Sequence, residues 1–211
     1  MKAMPVQARA KQKRASLVSA AQQCFVEEGY ENTTAKAIAS CAGVATGTFY
    51  QYFENKEDIL RVVAQHRVEE LYQQVPSVKD TLALVNAIAS QGENHLTTET
   101  IFLQVLELIY NFHAQAPELH QVLEQRKHLD SELAKILDKG EALLSERVLL
   151  FVQGFNVQQP EVIAFNLFAM AEGLVHRHVF GKPKKSKQET LVFGAAMLAA
   201  YFNNLNFSTD K

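Results

Sequence analysis

The sequence is poor in cysteine and in the residues that interrupt helices. Its 211 residues include nine glycines and five prolines, too few for a turn-dense all-β fold or for collagen. The two cysteines, Cys24 and Cys41, cannot build the disulfide framework of a small secreted scaffold or the ligand sets of a multi-finger zinc protein. With 47% hydrophobic and 21% charged residues, the chain is long and apolar enough to bury a core without such cross-links.

A long apolar run is also lacking. Residues 190–209 carry no charge, but the apolar part spans only the 12 residues 191–202 before Asn203 and Asn204 interrupt it. Because a membrane-spanning helix needs about 18 or more apolar residues, we expect a buried helix of a bundle here. The N-terminal segment is charged and has no apolar signal region, so we expect a cytoplasmic protein.

Charge is divided unevenly along the chain. Residues 1–67 carry nine basic and six acidic side chains, whereas residues 68–211 carry 12 basic and 17 acidic ones. The first 14 residues contain five bases and no acid. A basic N-terminal segment followed by an acidic remainder favours a polyanionic partner that binds the N-terminal segment alone. A flexible, solvated basic tail over residues 1–14 explains the same charges without a partner, and the sequence leaves both open.

Apolar residues recur at helical spacing along the chain. The first segment follows the i, i+3, i+4, i+7, i+8 pattern of an amphipathic helix with Leu17, Ala20, Ala21, Cys24 and Phe25. Caps, glycines and prolines divide the remainder of the chain, and Gly140 is the expected kink or boundary of its longest helix. The sequence predicts an all-α protein of about nine helices, the first ending near Gly29 and the others spanning about residues 35–42, 45–53, 56–76, 77–90, 98–116, 117–152, 160–180 and 186–204.

Residues 34–53 have the order helix, glycine-bearing turn, helix. This is the order of a helix-turn-helix, whose second helix can enter the DNA major groove. The second helix is short, has no acid before Glu54, and carries hydroxyl and amide groups that reach phosphates and base edges, on Thr46, Thr48, Tyr50, Gln51 and Tyr52. Helix pairs also occur in many bundles, where the same tyrosines would be rim aromatics of a small core.

The order and spacing of residues in this region are specific. They run Thr33-Thr34, Ile38-Ala39, Ala42-Gly43-Val44-Ala45-Thr46-Gly47-Thr48-Phe49-Tyr50-Gln51-Tyr52-Phe53 and Lys56-Glu57-Asp58-Ile59-Leu60. This pattern resembles the DNA-binding segment of the TetR family of transcriptional repressors, over about residues 13–62. In the remainder of the chain the resemblance is one of helical architecture.

The resemblance implies an N-terminal three-helix helix-turn-helix DNA-binding domain over residues 15–58, with its recognition helix at about 45–53. A larger helical ligand-binding and dimerisation domain would follow over residues 59–211. By the same resemblance, the residues that contact DNA bases or phosphates are Thr34, Ala45, Thr46, Gly47, Thr48, Tyr50, Gln51, Tyr52 and Lys56. Ala45 stands where a serine is common in the family, and Tyr52 stands where a histidine is frequent.

The last two predicted helices, about 160–180 and 186–204, are apolar nearly all round and rich in alanine and glycine. A helix with apolar residues on several sides needs partners on several sides. Two such helices from each of two chains would form a four-helix bundle, as the resemblance also implies. The alternative is that they pack only within their own chain.

The middle helices are expected to hold an effector pocket, because aromatic and apolar side chains are frequent there. The predicted apolar lining is Phe102, Leu106, Tyr110, Phe112, Phe151, Phe155, Phe165 and Phe168. The predicted polar end is Glu107, Asn111, His113, Glu172 and His176. Glu172 and His176 share one helix face at i and i+4. Two metal ligands without a third are a weak signal, so we predict a hydrogen-bonded or interface pair and no metal or cofactor.

These observations predict a ligand-responsive transcriptional repressor that is not an enzyme. Its expected partners are a pseudo-palindromic double-stranded DNA operator, a second copy of the chain and a small, largely apolar effector. The sequence has no G-x-S-x-G, no glycine-rich phosphate loop, no H-E-x-x-H and no C-x-x-C. The alternatives are a helical small-molecule-binding protein or enzyme with a non-functional head, and a DNA-binding activator without an effector. We expect a packed thiol at Cys24, while a redox role of Cys41 stays open.

Overall fold

The computed structural model describes residues 6–89, 97–181 and 183–205, and in these residues the chain is all-α. Ten helices follow one another, and the described part of the chain contains no strand. Among the described residues, no helix combines the length and the apolar character needed to cross a membrane. The helices are α1 (Val6–Glu27), α2 (Ala35–Cys41), α3 (Thr46–Tyr52), α4 (Lys56–Gln74), α5 (Val78–Ala89), α6 (Thr98–Ala114), α7 (Pro117–Lys127), α8 (Ser131–Gln153), α9 (Pro160–Val179) and α10 (Lys187–Asn203).

Local sequence signals account for most of the helix ends. Gly29 follows α1 at φ +77°, and Gly43 forms the turn between α2 and α3 at φ +66°, conformations that glycine adopts without the steric cost of a Cβ. Pro160 is the first residue of α9, where a missing N–H costs nothing. Ser186 caps α10 in a capping box with Glu189. The predicted ends of these helices are confirmed to within one or two residues.

One predicted helix is wrong. The segment 117–152 forms two helices, α7 and α8, and the break lies at residues 128–130 rather than at Gly140, which lies inside α8. Asp130 makes the break because its carboxylate accepts hydrogen bonds from the backbone N–H groups of Glu132 (3.0 Å) and Leu133 (3.1 Å) at the start of α8. The described helix count is therefore ten rather than nine.

The chain divides into two compact units. Unit 1 comprises residues 1–70 and 118–139, and unit 2 comprises residues 71–117 and 140–211. Unit 1 thus extends beyond the predicted boundary at residue 58 and includes a segment that sequence analysis assigned to the second domain. The predicted flexible tail also differs from the structure, because residues 6–14 belong to α1. Residues 1–5 of that tail lie outside the described residues.

In unit 1, α1 packs against α2 and α2 packs against α3, and α4, α7 and α8 also contribute buried side chains to the core. Its largest fully buried side chains are Phe25, Phe49, Leu17, Ile38, Ile59, Leu60, Leu119 and Leu133. In unit 2, α6 packs against α9 and α10 around a cluster that includes Phe102, Leu106, Phe151 and Phe202. Gly194 lets α10 approach α9 closely, because a Cβ at this position would lie 2.8 Å from Leu174 Cδ2 on α9.

Unit 2 also carries apolar side chains that its own core does not cover. They lie on α9 and α10, where Phe165 is 70% exposed and Phe193 is 76% exposed. Val162, Val192 and Met197 are exposed on the same two helices. Scattered apolar residues on a surface need no explanation, but large exposed groups concentrated on two neighbouring helices are typical of a contact surface.

Candidate nucleic-acid interface

The helix-turn-helix geometry of α2 and α3 is fixed by local hydrogen bonds. The Thr34 hydroxyl accepts a hydrogen bond from the backbone N–H of Ala37 at 3.1 Å and so caps α2. In the turn, the Gly43 N–H donates to the Ser40 carbonyl at 3.1 Å, and the Val44 N–H donates to the Ala39 carbonyl at 2.9 Å. These bonds satisfy backbone groups at the end of α2 and set the direction in which α3 leaves the turn.

α3 has one buried side and one exposed side. Phe49 is fully buried and Phe53, which follows the helix, is 2% exposed, and their rings lie 5.7 Å apart. Tyr50 on the other side is 60% exposed. The helix contains no acidic residue, so its exposed side presents hydroxyl and amide groups without a carboxylate that would repel a polyanion.

The nine residues predicted to contact DNA all lie in unit 1. Eight of them, all except Thr34, lie on α3 or within four residues of it. Thr34, Ala45, Thr46, Gly47, Tyr50 and Gln51 are exposed, and Thr48, Tyr52 and Lys56 are half-buried. The expected packing of Phe49 and Phe53 into the core is confirmed.

Lys56 has a structural role that sequence analysis did not predict. Its ammonium donates a hydrogen bond to the Tyr30 carbonyl at 2.7 Å and to the Glu31 carbonyl at 3.4 Å. It also lies 4.1 Å from the centroid of the Tyr30 ring, a cation–π contact. The first residue of α4 is therefore tied to the segment between α1 and α2. A lysine has three N–H donors, so these two bonds leave one for another acceptor.

Tyr30 is the centre of a wider polar cluster. Its hydroxyl donates to Glu57 Oε1 at 2.9 Å, and the Arg126 guanidinium lies 4.6 Å from its ring centroid and 3.9 Å from Glu57 Oε1. Burial, followed by the hydrogen bond to Glu57, raises the pKa of Tyr30 above its usual range. Burial also acts to raise the pKa of Glu57, but hydrogen bonds from the backbone and from Tyr30 outweigh it and lower that pKa.

The two cysteines differ in their surroundings. Cys24 is 4% exposed in the core of unit 1, and burial, followed by the neighbouring Cys41, raises its pKa to about 11. Since the thiolate is the reactive form, the packed-thiol interpretation of Cys24 agrees with the structure. Cys41 is exposed, with its sulfur 3.5 Å from Gln23 Oε1.

A largely apolar cavity of about 160 Å³ lies within unit 2. Of the predicted lining residues, Phe102, Phe151 and Phe168 border it. The rest of its wall comes from α5, α6, α8, α9 and α10, including Leu84, Val105, Leu108, Leu144, Val148 and Leu198. Its few polar neighbours include Gln104, Thr81 and Arg147, whose Nε donates to the Pro76 carbonyl at 3.1 Å.

The other predicted pocket residues lie elsewhere. Leu106 is fully buried in the core and Glu107 is exposed. Phe155 borders a second cavity, with Ile88 and Phe202. The remaining polar candidates hold helices together, since Tyr110 Oη lies 3.2 Å from His178 Nδ1 and Asn111 Oδ1 accepts from Lys187 at 2.8 Å.

Glu172 and His176 border neither of these cavities but meet His113 of α6. Glu172 Oε2 lies 3.0 Å from His176 Nε2 and 3.3 Å from His113 Nε2, so the predicted hydrogen-bonded pair has a third member. Burial acts to raise the pKa of Glu172, but hydrogen bonds from His113 and then His176 outweigh it and lower that pKa to about 2. Its carboxyl group is therefore ionised at neutral pH.

Comparisons with known proteins match this chain to bacterial regulatory proteins. Residues 17–63 match the family model of bacterial regulatory proteins of the tetR family. The chain is 40% identical over 85 residues to the fatty acid metabolism regulator protein of Bacillus subtilis, covering 36% of this chain and 44% of that protein. It is 26% identical over 188 residues to the HTH-type transcriptional repressor BepR of Brucella suis, covering 83% and 84%.

Coverage varies among the curated relatives. The match to the HTH-type transcriptional regulator HbdR of Aromatoleum sp. is 40% identical but spans only 28% of that protein; like the Bacillus subtilis protein, HbdR is matched over less than half of its length. Among solved structures, one from Mesorhizobium loti, assigned to the TetR family of transcriptional regulators, has a TM-score of 0.70 at 18% identity, covering 92% of this chain and 96% of that one. This likeness shows that the fold is shared.

Replacing Lys56 by methionine is expected to lower the free energy of unfolding by about 1–2 kcal/mol, because the Tyr30 carbonyl loses its charged donor and the ring loses its cation. Urea denaturation of the full chain followed by circular dichroism measures the change. The matched control is Lys36→Met, at an exposed position of α2, which should change the value by less than about 0.5 kcal/mol. Equal effects of the two substitutions would contradict the structural role of Lys56.

Proposed function

We propose that this chain, a DNA-binding transcriptional regulator of the TetR family, represses its target genes as a dimer. In this proposal a small, largely apolar molecule that binds in unit 2 releases the dimer from operator DNA. The observation that carries the proposal is the acid-free, exposed polar side of α3, held in place by the burial of Phe49 and Phe53.

The exposed side of α3 has the chemistry needed to read DNA. The major groove is about 12 Å wide and admits an α-helix. Gln51 offers an amide that can pair with an adenine edge, and the Thr46 and Tyr50 hydroxyls can donate to phosphates or bases. Gly47 and Ala45 are small and exposed, so the backbone can approach the duplex. Lys56, with a donor left over, supplies a phosphate contact at the start of α4.

The apolar surface of α9 and α10 supports dimerisation. Phe165 and Phe193 are more than two-thirds exposed, and burying aromatic side chains of this size is a large favourable term in association. A two-fold dimer through these helices would present two copies of α3 to DNA. When such copies lie about 34–36 Å apart they read two half-sites one helical turn apart, which is why we propose a pseudo-palindromic operator.

The cavity in unit 2 supports a small, mostly apolar effector. Its wall is formed mainly by aliphatic and aromatic side chains, with Arg147 and Gln104 as polar groups that can orient a ligand. Regulation of fatty acid metabolism, the role named for the Bacillus subtilis relative, fits an apolar effector. Such a ligand shifts the DNA-binding equilibrium only by the difference between its affinities for the DNA-bound and released conformations.

Gln51→Ala is expected to weaken operator binding about 5- to 150-fold and to relax base preference at one position, the effect of losing one bidentate base contact. Lys56→Ala should instead weaken binding to all duplexes, because a phosphate contact carries no sequence information. Genomic footprinting defines the operator, and fluorescence anisotropy at several salt concentrations measures the affinities.

The matched control for this experiment is Gln73→Ala, at an exposed glutamine in α4. It should leave the affinity for operator unchanged. A Gln51→Ala protein that binds the operator and its point variants as the unsubstituted chain does would refute the assignment of α3 as the recognition helix. In a deletion strain, reporter expression should rise; a fall would indicate an activator instead.

Phe193→Asp is expected to dissociate the dimer, because it places a charge in the middle of an apolar contact surface. Analytical ultracentrifugation should show a monomer, and operator affinity should fall because only one half-site can be held. Leu129→Asp, at a residue of unit 1 that is 73% exposed, is the control and should remain dimeric. An unchanged oligomer in the Phe193→Asp protein would exclude this surface as the dimer interface.

Val105→Trp is expected to abolish ligand-induced release of the protein from operator DNA while leaving operator binding intact. The reason is that the indole ring would occupy a cavity of only about 160 Å³. A screen of apolar and amphiphilic compounds for loss of anisotropy on operator DNA identifies releasing compounds, which are then tested on the variant. Val78→Trp, at an exposed residue of α5, should respond as the unsubstituted chain does. Release that survives in the Val105→Trp protein would place the effector outside this cavity.

A further inference from the structure

Three side chains of unit 2 bring metal-ligating atoms together where α6 meets α9. His113 lies on α6, and Glu172 and His176 lie one turn apart on α9. The Nε2 atoms of the two histidines are 3.0 Å apart, and Glu172 Oε2 lies 3.3 Å from the first and 3.0 Å from the second. The three donor atoms therefore form a nearly equilateral triangle.

Hydrogen bonds alone do not account for all three short distances of this triangle. An imidazole nitrogen either donates one hydrogen or accepts one and cannot do both, so neither Nε2 can donate to one corner of the triangle and accept from the other. If both imidazoles donate to Glu172, two N–H groups face one another across the His113–His176 edge. If only one donates, the lone pair of the other imidazole faces the carboxylate. A single cation at the centre would attract all three lone pairs at once.

The spacing of the triangle agrees with tetrahedral coordination. Zinc–nitrogen and zinc–oxygen bonds of about 2.0–2.2 Å in a tetrahedron place neighbouring ligand atoms about 3.3–3.6 Å apart. The donor atoms of His113, Glu172 and His176 are within a few tenths of an ångström of that separation. Small side-chain rotations would therefore suffice to admit the ion.

The surroundings are those of a partly enclosed site. The His113 side chain is 8% exposed, that of Glu172 is 21% exposed and that of His176 is 41% exposed, so an ion could enter from the His176 side. The Phe180 ring lies 5.2 Å from the His176 ring and 6.0 Å from the His113 ring. An apolar neighbour of this kind limits solvent access and strengthens electrostatic attraction at a metal site.

We propose that His113, Glu172 and His176 bind one divalent transition-metal ion of the zinc class. Two imidazole nitrogens and one carboxylate oxygen form a donor set that suits Zn²⁺ or Co²⁺, whereas Mg²⁺ and Ca²⁺ prefer oxygen ligands and Cu⁺ prefers sulfur. The sequence predicts that Glu172 and His176 are neighbours at i and i+4, and the fold places His113 next to them.

The proposal is tested by metal binding to the full chain, independently of DNA. Protein stripped with a chelator is titrated with ZnCl₂ in a calorimeter and with CoCl₂ in a spectrophotometer. We expect one Zn²⁺ per chain at this site and the intense visible absorption of tetrahedral Co²⁺. Loss of a supporting group at a metal site costs about 10- to 100-fold in affinity, and loss of a ligand costs at least as much, so H113Q, E172Q and H176Q should each bind at least about 10-fold more weakly.

Controls separate this site from other histidines and from folding defects. H66Q, at an exposed histidine of α4, should bind Zn²⁺ as the unsubstituted chain does. Because His176 is the most exposed of the three, H176Q should fold even if H113Q does not, and circular dichroism without metal checks both. X-ray absorption of the zinc-loaded chain should show two imidazoles in the first coordination shell. Binding that is unchanged in H176Q, or no binding of Zn²⁺ and Co²⁺ at all, would overturn the proposal.

Discussion

The burial of Phe49 is the constraint on which the candidate interface depends. α3 has seven residues, and an isolated helix of that length is not stable in water. It exists because Phe49, with Phe53 just after it, is enclosed in the core of unit 1. The same packing fixes which side of α3 remains outside. Residues at helical spacing opposite Phe49 must face solvent, so the polar side of α3 is a consequence of the core rather than of any contact of its own.

Local signals in the sequence predicted most elements because the cause of each helix end lies within a few residues of it. Thr34, Gly43 and Ser186 are examples, and each acts through hydrogen bonds or φ angles of adjacent backbone. The break between α7 and α8 was not predicted, because glycine commonly ends a helix and the sequence therefore favours Gly140, whereas the structure places the cap at Asp130. The contact of Lys56 with Tyr30 crosses 26 positions, and no periodic pattern indicates such a partner.

Most of the residues predicted to line a pocket do not border the cavity, and the reason is physical. Helical spacing identifies the apolar side of a helix, but a core and a cavity present the same residue types to that side. On α6, Leu106 is buried in the core, whereas Val105 and Leu108 border the cavity. Which of them meets empty space depends on how α8, α9 and α10 pack against α6, and that is a property of the whole unit. Aromatic content alone therefore found three of the lining residues and misplaced the others.

The cavity and the proposed metal site share two helices, so binding of an ion at the site would be coupled to binding of a ligand in the cavity. α6 contributes Phe102 and Val105 to the cavity and His113 to the cluster, and α9 contributes Phe168 to the first and Glu172 to the second. An ion bound by both helices would hold their separation near His113 within the narrow range that its bonds allow. A cavity ligand that requires a different separation would then bind more weakly, and by linkage it would weaken metal binding by the same factor. A ligand that fits the metal-bound separation would bind more tightly, since the ion has already restricted the motion that the ligand would otherwise have to restrict.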